Sequence, residues 1–124
     1  MTLKEQLMQA IEEASEPVLS DVQAALDTIK ARLVPQFQPI QIILFGSQAT
    51  GRATPESDID LLVVMPQVAS KRQAAIAMRR CLADLPMGKD IIVTTTEEIA
   101  RRGYVVGTVL HQAITEGKVI YEQA

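Results

Sequence analysis

The chain has no tryptophan, and aromatic residues make up only 3% of its 124 positions. With so few flat side chains there is little to stack against unpaired bases, which argues against a single-strand nucleic-acid binder. Positive charge is also short: 12 Lys and Arg stand against 15 Asp and Glu, for a net charge of −3. A nucleic-acid backbone calls for a basic surface, so no direct nucleic-acid binding is expected. The single cysteine, Cys81, rules out an internal disulfide, and the single histidine, His111, has no zinc-ligand spacing around it. No apolar run approaches the about 20 residues of a membrane-spanning helix. The amino terminus, MTLKEQLMQAIEEAS, carries acids and lacks the apolar stretch of a signal peptide. No membrane association and a cytoplasmic location are therefore the expectations.

What the chain does have is aliphatic. Hydrophobic residues reach 48%, enough for one globular domain with a core of Leu, Ile, Val, Ala and Met. Basic residues cluster at Lys71, Arg72, Arg79 and Arg80 and again at Arg101 and Arg102, as solvated helix faces do.

Leu3, Leu7 and Ile11 recur at helical spacing, and Pro17 separates them from a second amphipathic helix over 17–33. Pro35 and Pro39 bracket its exit. Strands are expected over 40–45, 59–65 and 90–94, each a short apolar run. A helix over 69–85 has Ser70 as its N-cap and is stopped by Pro86 and Gly88. Thr95 with Glu98 resembles a capping box opening a short helix. A last helix over 105–116 ends at Gly117, with a small strand over 118–121. The link between the first two strands is too short for a parallel crossover through a full helix. The expected fold class is therefore α+β, a small mixed or antiparallel sheet with helices mainly on one face, preceded by N-terminal helices. Periodicity leaves the strand order open.

The informative stretch is Leu44-Phe45-Gly46-Ser47-Gln48-Ala49-Thr50-Gly51-Arg52, continuing to Ser57-Asp58-Ile59-Asp60-Leu61. Asp58 and Asp60 stand two apart at a strand start, so they share a face while Ile59 and Leu61 turn to the core. Two adjacent carboxylates repel each other and need water or a counter-ion, a need a divalent cation meets. Gly46 closes the preceding strand and Ser47 begins a helical turn, where free amides and a hydroxyl suit phosphate oxygens. The loop folds back, so the anion site and the cation site can face each other, as Mg²⁺-triphosphate requires. Asp90 heads another strand. If that strand lies beside the first, three acids converge and two Mg²⁺ ions could clamp the attacking and leaving oxygens. Asp90 would suit taking the acceptor's proton, or holding the metal that lowers the acceptor's pKa.

This segment resembles the G-S-x₁₀-D-x-D signature of the DNA polymerase β-like nucleotidyltransferases. It is most similar to the minimal nucleotidyltransferases, the antitoxin half of HEPN/MNT toxin–antitoxin pairs, and the likeness runs from about Pro17 to Tyr121. With the N-terminal helix read over 1–16 from its spacing, the resemblance implies one nucleotidyltransferase domain over 17–124. It implies that Gly46 and Ser47 hold nucleotide phosphates, with Arg52 and Ser57 as further nucleotide contacts. It makes Asp58, Asp60 and Asp90 both catalytic residues and metal ligands. It further implies transfer of AMP from ATP to a tyrosine hydroxyl of a HEPN ribonuclease toxin encoded nearby, within a homo-oligomer or a hetero-oligomer with that toxin. One departure is Thr50, where many relatives carry Arg. The alternatives are an antitoxin that binds nucleotide without catalysis and neutralises by occlusion, or a transferase for a small molecule of antibiotic type. Larger relatives hold their acceptor with a second domain, and the chain ends soon after the catalytic core, so the acceptor platform is expected to come from elsewhere.

Overall fold

The computed structural model describes residues 17–54 and 56–124. The N-terminal helix expected over 1–16 lies outside the described residues. In chain order the elements are α1 (Pro17–Phe37), β1 (Gln41–Phe45), α2 (Ser47–Thr50), β2 (Ile59–Met65), α3 (Lys71–Cys81), β3 (Lys89–Thr95), α4 (Thr96–Arg102), α5 (Val109–Glu116) and β4 (Lys118–Glu122).

The four strands form one mixed sheet in the order β3-β2-β1-β4. β1 pairs antiparallel with both β2 and β4, as the short β1–β2 link requires, while β2 and β3 run parallel through the crossover helix α3. The α+β fold with a mixed sheet is thus as expected. The larger hydrophobic layer lies on one sheet face, where Ile42, Leu44, Leu61, Val63, Ile91 and Val93 meet Leu26, Ile29 and Leu33 of α1 and Met78 of α3. On the second face Ile43, Phe45, Leu62 and Val64 pack against Ala113 and Leu110 of α5 and Ile99 of α4. β2 is covered on both sides, which is why it reads as a continuous apolar run after Asp60.

Boundaries shift for local reasons. α1 continues through Pro35 to Phe37, because a proline in the last turn forfeits one hydrogen bond without ending the helix. The next residue, Gln38, takes a positive φ of 53° and donates its amide to Val34 O at 2.9 Å, closing that end. α3 is shorter than the periodicity implies: after Cys81 the chain passes into turns, with the Leu85 amide reaching Leu82 O. α5 starts at Val109 and not at Val105, because the Thr108 hydroxyl caps the amide of His111. His111 Nδ1 lies 3.0 Å from Gly103 O, so the lone histidine ties α5 to the end of α4. Among the described residues no helix is long and apolar enough to cross a membrane.

Candidate active site

The chemistry-bearing residues collect at one end of the sheet, where β1 ends and the parallel strands β2 and β3 begin. Phe45 pairs with Asp60, so the Gly46–Ser47 turn emerges directly beside that acid. Asp60 in turn pairs with Asp90 across the parallel ladder. Alternation puts Asp58, Asp60 and Asp90 on the face that also carries Leu62, Val64 and Ile92. Partial burial, then the neighbouring charges of Asp90 and Asp58, push the Asp60 carboxyl above the usual aspartate range. Asp60 is therefore close enough to feel both of the other acids. Asp58 and Asp90 are exposed and Asp60 is half-buried.

Two glycines make room for two of these carboxylates. Gly46 has φ 72° and ψ −155°, a region essentially reserved for glycine. A Cβ there would also stand 2.2 Å from Asp60 Oδ2. At Gly88 a Cβ would stand 2.0 Å from Asp58 Oδ1, and the Gly88 carbonyl accepts the Ile59 amide at 2.9 Å. Gly88 escapes sequence reasoning because it reads as a helix stop; its place one residue ahead of the Asp90 strand's start was the available signal.

After Gly46 the chain makes the short helix α2, whose Ala49 and Thr50 amides bond Gly46 O at 3.1 and 3.2 Å. Ser47 is half-buried at the head of this turn, and Gly51 ends it in the left-handed conformation. Arg52 follows, exposed, with its amide on Ser47 O at 3.1 Å. The Ser57 hydroxyl accepts the Thr54 amide at 2.8 Å, closing the loop that delivers Asp58. The ammonium of Lys89, next to Asp90 in sequence, turns back to the carbonyls of Leu85 and Met87 at 2.9 and 2.7 Å. Arg79, whose charge in the sequence suits a solvated helix face, also joins the site: its Nη2 lies 3.7 Å from Asp90 Oδ1. Among the described residues no group of three or more carboxylate, histidine or cysteine side chains is arranged to hold a metal ion. A depression of about 830 Å³ lies at the opposite end of β2 and β3, lined by Gln67, Lys71, Thr95 and Arg101 among others, away from the acids.

The family model described as "Nucleotidyltransferase domain" matches residues 26–115. The chain belongs to that family. Nucleotidyltransferase domains generally use a nucleoside triphosphate and divalent metal ions, and the matched span contains the glycine turn and all three acids. Two solved structures share the fold. A Sulfolobus solfataricus protein, named only provisionally as a nucleotidyltransferase, is 18% identical with a TM-score of 0.55, covering 86% of this chain and 87% of that one. A toxin–antitoxin structure with AMP-PNP is 23% identical with a TM-score of 0.54, covering 79% of this chain and 73% of that one. No curated protein sequence matches significantly.

The site's donor set suits a divalent cation. Three hard oxygen donors share one face, one of them already disfavoured as a bare anion, and two glycines leave the carboxylates space.

Proposed function

We propose that this nucleotidyltransferase domain moves AMP from ATP to a tyrosine hydroxyl on a HEPN ribonuclease toxin and so acts as its antitoxin. The observation that carries the reading is the strand order at the site: the glycine turn at the end of β1, Asp60 on β2 and Asp90 on β3 lie side by side. Phosphate cradle, cation ligands and proton acceptor then follow one another across the sheet edge, as an in-line displacement needs. The likeness to a toxin–antitoxin structure that contains AMP-PNP supports both the adenine nucleotide and the toxin partner.

In this reading Gly46 and Ser47 hold the triphosphate through backbone amides and the Ser47 hydroxyl. Arg52 and Ser57 border the same loop and are assigned to the nucleotide. Asp58, Asp60 and Asp90 would hold two Mg²⁺. When bound, these ions neutralise the triphosphate and make the acceptor hydroxyl easier to deprotonate. The acceptor oxygen bonds to the α-phosphorus, the bond from that phosphorus to the bridging oxygen breaks, and pyrophosphate leaves. Asp90, the outermost acid, takes the acceptor's proton.

The test mixes the protein with ATP, Mg²⁺ and the product of the neighbouring gene and follows that product by intact mass. Addition of AMP units is expected, abolished by Asp58→Ala with Asp60→Ala. A complex that forms and silences the toxin without a mass change would replace this reading with occlusion. AMP appearing only on small-molecule acceptors would replace it with an antibiotic-type transferase.

A further inference from the structure

Asp90 has a charge partner on the side away from Asp60. Among the described residues β3 lies at an edge of the sheet, and the Ile91 carbonyl faces outward from it. Arg79, in the last turn of α3, reaches around this edge. Its Nη2 donates to Ile91 O at 3.3 Å and lies 3.7 Å from Asp90 Oδ1. Because α3 packs on the sheet face opposite the acids, Arg79 approaches Asp90 from outside the cluster. Asp60 approaches it from the inner side, through the β2–β3 register. Both side chains of the ion pair are about half exposed, at 50% and 57%, so the pair is an exchangeable one.

We propose that Arg79 is a positioning residue that holds Asp90 toward the strand edge and competes with a divalent cation for its carboxylate. The inference rests on the reading of the acids as cation ligands. The anchor on Ile91 O keeps the guanidinium in place, so Asp90 has two partners to choose between: an arginine outside and a cation inside. Loading the site exchanges one for the other. The arginine thereby lowers the protein's affinity for cations.

The test uses Mn²⁺ as probe, without nucleotide, on the full chain, with binding followed by electron paramagnetic resonance. Arg79→Gln should bind Mn²⁺ about two- to fivefold more tightly than the wild type, the range that an exposed ion pair can supply. Arg79→Lys, which keeps the charge, should restore most of the wild-type value. Arg80→Gln removes an equal charge from the same helix turn and should leave affinity unchanged. Equal or weaker binding by Arg79→Gln overturns the inference, as does an equal gain from Arg80→Gln, which would mark a general field effect. If the wild type binds no Mn²⁺, or Asp60→Asn binds it as the wild type does, the cation-site reading itself fails. A wild type that binds through Asp60 while Arg79→Gln does not differ from it sinks the Arg79 role alone.

Discussion

Asp60 and Asp90 are register partners on the parallel strands β2 and β3, so their side chains leave the same sheet face from adjacent positions. Like charges in that relationship repel. Together with partial burial, the repulsion raises the Asp60 pKa from its ordinary 3.8. A carboxyl whose folded pKa is raised adds stability below the ordinary value and loses it as pH rises through the folded value. Asp60→Asn is therefore expected to melt at a higher temperature than the wild type at pH 7 in the presence of chelator. The difference should close as pH falls below about 4. Adding Mg²⁺ should raise the wild-type Tm and leave the Asn variant little changed. Thermal melts at two pH values, with and without Mg²⁺, check all three outcomes.

Gly46 and Gly88 each abut one acid, but substitution should separate them. Gly46→Ala meets both a positive φ of 72° and Asp60 Oδ2 at 2.2 Å. It should cost about 1–3 kcal/mol in urea denaturation. Gly88 carries no such backbone demand, and its obstacle is the mobile end of the exposed Asp58. Gly88→Ala should leave stability nearly intact while displacing that carboxylate, with turnover falling by about a hundredfold. Urea midpoints set beside nucleotidyl transfer rates distinguish the two behaviours.

The contrast shows what the sequence made legible. Asp58 and Asp60 alternate with Ile59 and Leu61, and that two-residue rhythm placed the acids on one face and the core on the other. The Gly-Ser bend and the β1–β2 return were equally readable, because a short link between two apolar runs leaves few geometries. The neighbour of β2 was not readable, since its register with β3 comes from a crossover through α3 that no local pattern encodes. For the same reason Gly88 and Arg79 were invisible: each matters through one residue in another element, Asp58 in one case and Asp90 in the other. Pro35 illustrates the opposite failure, a strong local signal overridden by the packing of Ile29, Leu33 and Phe37 against the sheet.

Glu98 should titrate with the opposite sign to Asp60. The Lys71 ammonium, foremost, and the Thr94 hydroxyl at 2.7 Å hold its carboxyl below the usual glutamate value of 4.5, against the effect of burial. Thr94 is fully buried, so this acid joins α3, β3 and α4 through a satisfied polar contact. Stability of this origin is present above the ordinary value and lost as pH falls through the lowered one. Glu98→Gln keeps an acceptor for Thr94 but removes the charge. It should cost about 0.5–1 kcal/mol at pH 7, with the deficit vanishing in acid. Glu98→Ala also strands the Thr94 hydroxyl and should cost about 1–3 kcal/mol across the pH range. Denaturant titrations at neutral and acid pH resolve the charge from the hydrogen bond.

The lateral order of turn and acids predicts a division of labour among them. Asp60 pairs with the last residue of β1, beside the glycine turn, whereas Asp90 lies one strand farther out. If the glycine turn holds the triphosphate as proposed, the acid beside it helps hold the cation–triphosphate, and Asp60→Asn should weaken Mg²⁺-dependent ATP binding by about tenfold or more. If Asp90 meets the incoming hydroxyl as proposed, Asp90→Asn should leave ATP affinity within about threefold of the wild type and lower kcat by about a hundredfold or more. A lost general base slows the step after binding, while a lost nucleotide-side ligand is felt in binding itself. Equilibrium ATP titrations with single-turnover nucleotidyl transfer measure the two effects separately. Equal loss of ATP affinity in both variants would put Asp90 on the nucleotide side and leave the acceptor without a base.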